Sequence, residues 1–157
     1  NMFLSKKYTI YWLFESSSNH VMKKKSSMTV SISTFLSPRY TNPTRTVCAI
    51  GAAPIKTEEG WLEIYHGADF NHRYCLGALL LDLNDPSKVI ARSEEPIMEP
   101  IAAYEQTGFF GNVVFTNGHL VDGDTITMYY GASDEVICKA ELSISEILNV
   151  LKQTQEK

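Results

Sequence analysis

Two short segments carry the chemistry that this chain displays most openly. Tyr65-His66-Gly67-Ala68-Asp69 and Tyr129-Tyr130-Gly131-Ala132-Ser133-Asp134 each set aromatic rings a few residues ahead of a carboxylate, with a glycine between them. An aromatic ring packs on the apolar face of a pyranose. A carboxylate accepts hydrogen bonds from two sugar hydroxyls, and glycine lets backbone approach closely. Tyr65, Tyr130 and Asp134 are therefore candidate sugar ligands. His66 adds a group that can act as acid or base, or hold an anion when protonated. The alternative is that these are core tyrosines followed by turn residues, beside a core histidine bonded to backbone.

Other constellations exclude more than they offer. Glu94, Glu95, Glu99 and Glu105 lie close in sequence and read as a solvated acidic loop. The stretch from Asp82 to Asp85 begins like a calcium loop. It has no glycine at the sixth position, and Ser93 stands where a bidentate glutamate is required. No Gly-x-Ser-x-Gly elbow and no glycine-rich phosphate loop is present. Cys48, Cys75 and Cys138 are far apart and form no C-x-x-C pair, so no metal site is expected. Their odd number fits a reducing compartment.

The elements that would position these residues read mostly as strands. Trp61–Tyr65, Tyr74–Leu83, Val89–Ala91, Val113–Thr116, Leu120-Val121, Thr125–Tyr130 and Val136–Leu142 are β-rich runs between turn residues. Asn117-Gly118 predicts a hairpin, and Asp122-Gly123 a second turn. Ser143 to Glu146 resembles a capping box, and Ile144, Ile147, Leu148 and Leu151 follow a helical period, which predicts a helix at about 145–153. The strands repeat: Tyr65, Gly67 and Ala68 fall on Tyr129, Gly131 and Ala132 at an offset of 64, and Cys75 falls on Ile137 at 62. Antiparallel strands recurring at a fixed period predict propeller blades. Lys7–Phe14 and Ser27–Leu36 offer a weaker third copy.

With 157 residues, 44% hydrophobic and 20% charged, the chain is long enough for one globular domain. No apolar run approaches the ~18 residues of a membrane span. Lys6 and Lys7 ahead of Tyr8–Phe14 make a poor signal peptide, and Asn1 before Met2 reads as a tag remnant, so the expected location is the cytoplasm. Lys23–Lys25 lacks interleaved aromatics and reads as a solvated loop, so no nucleic acid and no membrane partner is expected. Charge divides the chain: residues 1–56 carry eight Lys or Arg and one acid, and residues 57–157 carry six and 17. The first 50 residues contain no Gly and no Asp. Turns need such residues, so the two parts obey different rules. The expected organisation is a poorly matching segment over 1–45, with a degenerate blade as its alternative, and propeller blades plus a terminal helix over 46–157.

Longer stretches are more specific. Ile50 to Asp69, Tyr74 to Ser93, Tyr104-Glu-Gln-Thr-Gly108, Asn112-Val-Val-Phe115 and Tyr129 to Asp134 together resemble glycoside hydrolase family 130, in the family's order. The resemblance implies an all-β fold, part of a five-bladed β-propeller amounting to two to three blades, with a short C-terminal helix. It implies β-mannoside phosphorolysis with inversion, or hydrolysis in some members. No cofactor is implied, with inorganic phosphate as co-substrate if the chain is active. On this sequence His66 and Tyr74 match the family's phosphate-binding His and Tyr, and Asp134 matches a sugar-binding carboxylate. The departures are as informative. Ala49 stands where the family has its phosphate Lys, and the family's general-acid Asp and two Arg lie upstream of the matching part. No catalytic residue is therefore assigned. The chain reads as the C-terminal part of such an enzyme, from a broken or frameshifted reading frame, binding β-mannosides without turnover. The alternative is a non-catalytic carbohydrate-binding module, or one that self-associates as a homo-oligomer through open sheet edges.

Overall fold

A computed structural model describes residues 45–153. The readings of Lys7–Phe14, Ser27–Leu36 and Lys23–Lys25 lie outside the described residues. Eight strands and two helices follow in order: β1 (Arg45–Ile50), β2 (Ile55–Lys56), β3 (Trp61–Asp69), β4 (Tyr74–Leu81), β5 (Val89–Arg92), α1 (Ala103–Gln106), β6 (Val114–Asp122), β7 (Thr125–Ala132), β8 (Val136–Ser143) and α2 (Ile144–Gln153). The first sheet runs β1-β3-β4-β5, with β2 continuing along the β1 edge of β3, and the second runs β6-β7-β8. Every pairing within the two sheets is antiparallel.

Side-chain alternation decides what each strand buries. On β3, Leu62 and Ile64 join Leu76, Ala78 and Leu80 of β4 in a core that continues through Val114, Ile126, Met128 and Ala132 of the second sheet. Tyr65 points to the opposite face and forms a smaller cluster with Leu79 and Leu81, packed by Trp61 and Val89. Both faces of β3 are buried, which is why its sequence is nearly continuously apolar.

The repeat seen in the sequence is a repeat of register. Ala68 faces Tyr74 at the end of one hairpin, and Ala132 faces Val136 at the end of the other. Each sheet also lays an aromatic ring across a glycine on the facing strand. Tyr65 opposes Gly77, where a Cβ would stand 2.5 Å from the Tyr65 ring, and Phe115 opposes Gly131, where a Cβ would stand 2.6 Å from the Phe115 ring. Such pairs pin register, because a one-residue slip would drive the ring into a side chain.

One turn differs from the expectation. Asn117-Gly118 is no hairpin: β6 runs through it, pairing Thr116 with Tyr130 and Gly118 with Tyr129, so Asn117 is the extra residue of a bulge. The reversal comes at Gly123-Asp124, between the paired Asp122 and Thr125, with Gly123 at a left-handed φ of 57°. A turn at Asn117 would leave β7 without its partner strand, and the buried Ile126, Met128 and Tyr130 outweigh local turn preference.

The helix expected at 145–153 begins one residue earlier. Ser143 Oγ accepts from Glu146 N at 3.1 Å, the capping bond its sequence predicts. Asp124 fixes the same end: its carbonyl accepts from Ile144 N, and its Oδ1 from Ser145 N at 2.8 Å. Hydrogen bonds from the Ser143 hydroxyl and the Ser145 amide hold the Asp124 carboxyl below its ordinary pKa. Ile147, Leu148 and Leu151 then seat the helix on the shared core.

Gly77→Ala is expected to destabilise the chain by about 1–3 kcal/mol, because the new methyl overlaps the Tyr65 ring. Urea denaturation measures this, and an unchanged midpoint would contradict the packing described.

Candidate functional site

An open cleft of about 270 Å³ lies where the two sheets meet, lined by His66, Tyr74, Phe110, Val113, Phe115 and Asp134. His66 comes from β3, Tyr74 opens β4, and Phe115 belongs to β6. Phe110 and Val113 come from the connection between the sheets. Asp134 sits in the turn joining β7 to β8. The His66 ring lies 6.4 Å from that of Tyr74, tilted by 39°, and meets Phe115 edge-on at 5.7 Å. His66 therefore stands between a ring of its own sheet and a ring of the other.

The wall that carries Phe110 is held at both ends. Met98 and Ile97 exchange backbone hydrogen bonds with Leu76 of β4, and Asn112 O accepts from Tyr74 N at 2.9 Å. At its centre, Glu105 is 4% exposed. Its Oε2 accepts from Ile101 N and Ala102 N, both at 2.8 Å, and its Oε1 accepts from the Tyr130 hydroxyl at 2.8 Å. Phe110 N and Ser133 N add bonds to Ser133 O and Val113 O, each at 3.0 Å, tying the wall to the Asp134 turn.

Backbone strain gathers here too. Among the described residues, the non-glycine positions with positive φ are His72 (59°), Asn112 (61°), Ser133 (51°) and Asp134 (52°). Asp134 lines the cleft, Ser133 and Asn112 bond to its walls, and the His72 ring touches Phe110. Such conformations cost free energy and persist where the surrounding structure enforces them.

The five sequence candidates separate into two groups. His66, Tyr74 and Asp134 come together in the cleft. Tyr65 does not: as the neighbour of His66 on a strand it must face the other way. It is fully buried, its hydroxyl accepts from Arg92 Nε at 2.9 Å, and the Arg92 guanidinium lies over its ring at 4.7 Å. Tyr130 takes on β7 the position His66 takes on β3, yet its hydroxyl is bound to Glu105 and is 3% exposed as a residue. Burial and the Glu105 bond push the Tyr130 phenol far above its ordinary pKa. Glu105 is in turn no part of a solvated loop, because three donors satisfy its carboxylate away from water. Phe110 and Phe115 also line the cleft, though nothing in their residue type marks them as site residues in the sequence. Their only signal is that Phe115 closes one of the stretches resembling the family.

His66 is half-buried, and its Nδ1 has no hydrogen-bond partner. Burial lowers its pKa below the ordinary imidazole value, so the neutral ring occupies the cleft at neutral pH. It then carries one donor and one acceptor. Among the described residues no helix is long and apolar enough to cross a membrane, and no cluster of His, Cys, Asp and Glu could hold a metal ion.

Comparison with known proteins places these features. A family model described as β-1,4-mannooligosaccharide phosphorylase matches residues 2–153. The chain is 55% identical over 102 residues to a β-1,2-mannobiose phosphorylase of Listeria innocua, covering 65% of this chain and 29% of that one. It is 56% identical over 98 residues to a 1,2-β-oligomannan phosphorylase of a Thermoanaerobacter strain, covering 62% and 33%. The crystal structure of the Listeria innocua enzyme with β-1,2-mannobiose superposes with a TM-score of 0.67 at 53% identity, over 68% of this chain and 30% of that one. The chain thus spans about a third of the length of the curated relatives it matches, and its two sheets are blades of a partial five-bladed propeller.

Two measurements test the site as built. Glu105→Ala is expected to cost about 3 kcal/mol, since it strands two backbone amides and a buried phenol, with Glu105→Gln intermediate. Equal urea midpoints for all three proteins would contradict the role of that carboxylate. The His66 ring, followed by NMR, is expected to titrate below ~6.5 in the free chain. A lowered folded-state pKa means His66 contributes stability above its unfolded pKa and loses it as pH falls through the folded value. A midpoint at or above the ordinary value would contradict its burial.

Proposed function

The chain belongs to glycoside hydrolase family 130, and we propose that its cleft binds a β-1,2-linked mannoside together with inorganic phosphate. The observation that carries this reading is the convergence of His66, Tyr74 and Asp134, from both sheets, on one cleft. Asp134 accepts hydrogen bonds from sugar hydroxyls. The Tyr74 hydroxyl and the His66 N–H donate to phosphate, next to the aromatic rings that flank them. A site of this kind acts by position and charge: it holds the anion beside the carbon it would attack. The preference for β-1,2 linkage follows the two relatives described above, at 55% and 56% identity.

Binding is separate from turnover. No Asp precedes Asp69 in this sequence, and Asp134 is the carboxylate among the described residues lining the cleft. With Asp134 engaged by sugar hydroxyls, no second carboxyl among the described residues lining the cleft is left to protonate the leaving oxygen, so the reading is of binding by this chain without cleavage. The reading needs no cofactor, and cysteines without paired spacing fit a reducing cytoplasm. A second reading, self-association, has its own observation. The second sheet ends at β8, where Ile137 is 78% exposed, while the first continues to a fourth strand. Sedimentation giving a clean monomer would exclude it.

Calorimetry on the 157-residue chain tests the main reading. β-1,2-Mannobiose is expected to bind, and Asp134→Ala to weaken binding at least about ten-fold, the loss of a charged hydrogen-bond acceptor. Phosphate is expected to raise the His66 pKa, since a neighbouring dianion favours imidazolium. No binding, or binding untouched by Asp134→Ala, would overturn the reading. Release of mannose 1-phosphate would overturn the absence of turnover.

A further inference from the structure

Glu63 lies on β3, three residues ahead of His66, and is 1% exposed. Strand alternation puts it on the face of Trp61 and Tyr65, away from the core that the two sheets share. Across β4 it pairs with Leu79, while Leu81 and Gly77 stand opposite Trp61 and Tyr65. This is the face of the apolar cluster of Tyr65, Leu79 and Leu81, packed by Trp61 and Val89. Neither Glu63 carboxyl oxygen has a hydrogen-bond partner.

The cations that the described residues bring to this face are engaged elsewhere. From β2, Lys56 lies over the Trp61 ring at 5.8 Å. From β5, Arg92 lies over the Tyr65 ring at 4.7 Å, and its Nε donates to the Tyr65 hydroxyl at 2.9 Å. Tyr65 is the other titratable group of β3 here, and β4 brings only Gly77, Leu79 and Leu81. Glu105 shows the contrast: it is also buried, but three donors surround it. A buried carboxyl with no donor is retained as the neutral acid instead. Burial accordingly pushes the Glu63 carboxyl well above its ordinary pKa.

We propose that Glu63 is a proton-operated latch on the first sheet. With the proton on, it packs as a neutral side chain between Trp61 and Tyr65. When the acid O–H bond breaks, the electron pair stays on the carboxylate, the proton goes to water, and the buried charge loosens β3 from β4. A folded-state pKa above the unfolded one means that the stabilisation is complete below the unfolded value and is lost as pH rises through the folded value. β3 also carries His66, so the latch acts on a strand that lines the cleft, whatever the cleft binds.

Urea denaturation of the 157-residue chain and of Glu63→Gln, across a range of pH, tests this. Glutamine mimics the protonated acid, and the other titrating groups are common to both proteins, so the ratio of their folding constants isolates Glu63. The two are expected to be alike below ~4.3, the ordinary glutamate pKa. Above it the ratio is expected to grow in favour of Glu63→Gln by about ten-fold per pH unit, levelling off at the folded pKa. A ratio that does not change with pH would overturn the latch. Carbon-13 NMR of the Glu63 carboxyl in the parent chain needs no variant to fold. Its midpoint is expected well above ~4.3, and a midpoint at or below that value would overturn the latch as well.

Discussion

The carboxylate of Glu105 is the interaction on which the cleft depends. It is buried in the connection between two sheets, and a buried charge is tolerated when donors surround it. Three do: the amides of Ile101 and Ala102 and the hydroxyl of Tyr130. The amides belong to the connection itself and the hydroxyl to β7, so one side chain fixes the connection to the second sheet. From there the consequences run outward. Val113 N bonds to the Glu105 carbonyl, Tyr74 N to the Asn112 carbonyl, and Phe110 N to Ser133 beside Asp134. Every wall of the cleft is at most a few bonds from that carboxylate.

The same constraint explains where the strain lies. A connection held at its centre and both ends leaves little freedom to its remaining residues. Asn112, Ser133 and Asp134 take left-handed conformations where it meets the first sheet and the β7–β8 turn. Holding Asp134 in such a conformation costs free energy, and the bonds around it offset that cost. A carboxylate placed in this way needs little reorganisation when a hydroxyl-rich ligand arrives.

Parts of this were legible in the sequence. The offset of 64 between Tyr65 and Tyr129 is a true repeat of register, because strands keep side chains at period two and a pairing slip exposes the core face. His66, Tyr74 and Asp134, distant in sequence, share one cleft. The terminal helix was legible because its capping residues and apolar period are both local. The failures are non-local. Adjacent residues on a strand face opposite ways, so the pairing of Tyr65 with His66 in one sugar site was excluded by β geometry alone. Tyr130 has the right face, but its partner lies 25 residues away on an element whose acidic sequence suggested water. Asn117-Gly118 has turn chemistry that buried pairing overrides.

The account's central claim is that the cleft between the two blades receives a mannoside against the rings of both sheets. Intermolecular NOEs between β-1,2-mannobiose and the 157-residue chain, with aromatic side chains assigned, test this most directly. The account predicts contacts from sugar protons to the rings of Tyr74 and Phe115, one from each sheet, and none to Tyr65. Sugar contacts confined to rings outside the cleft, or to one sheet alone, would contradict it.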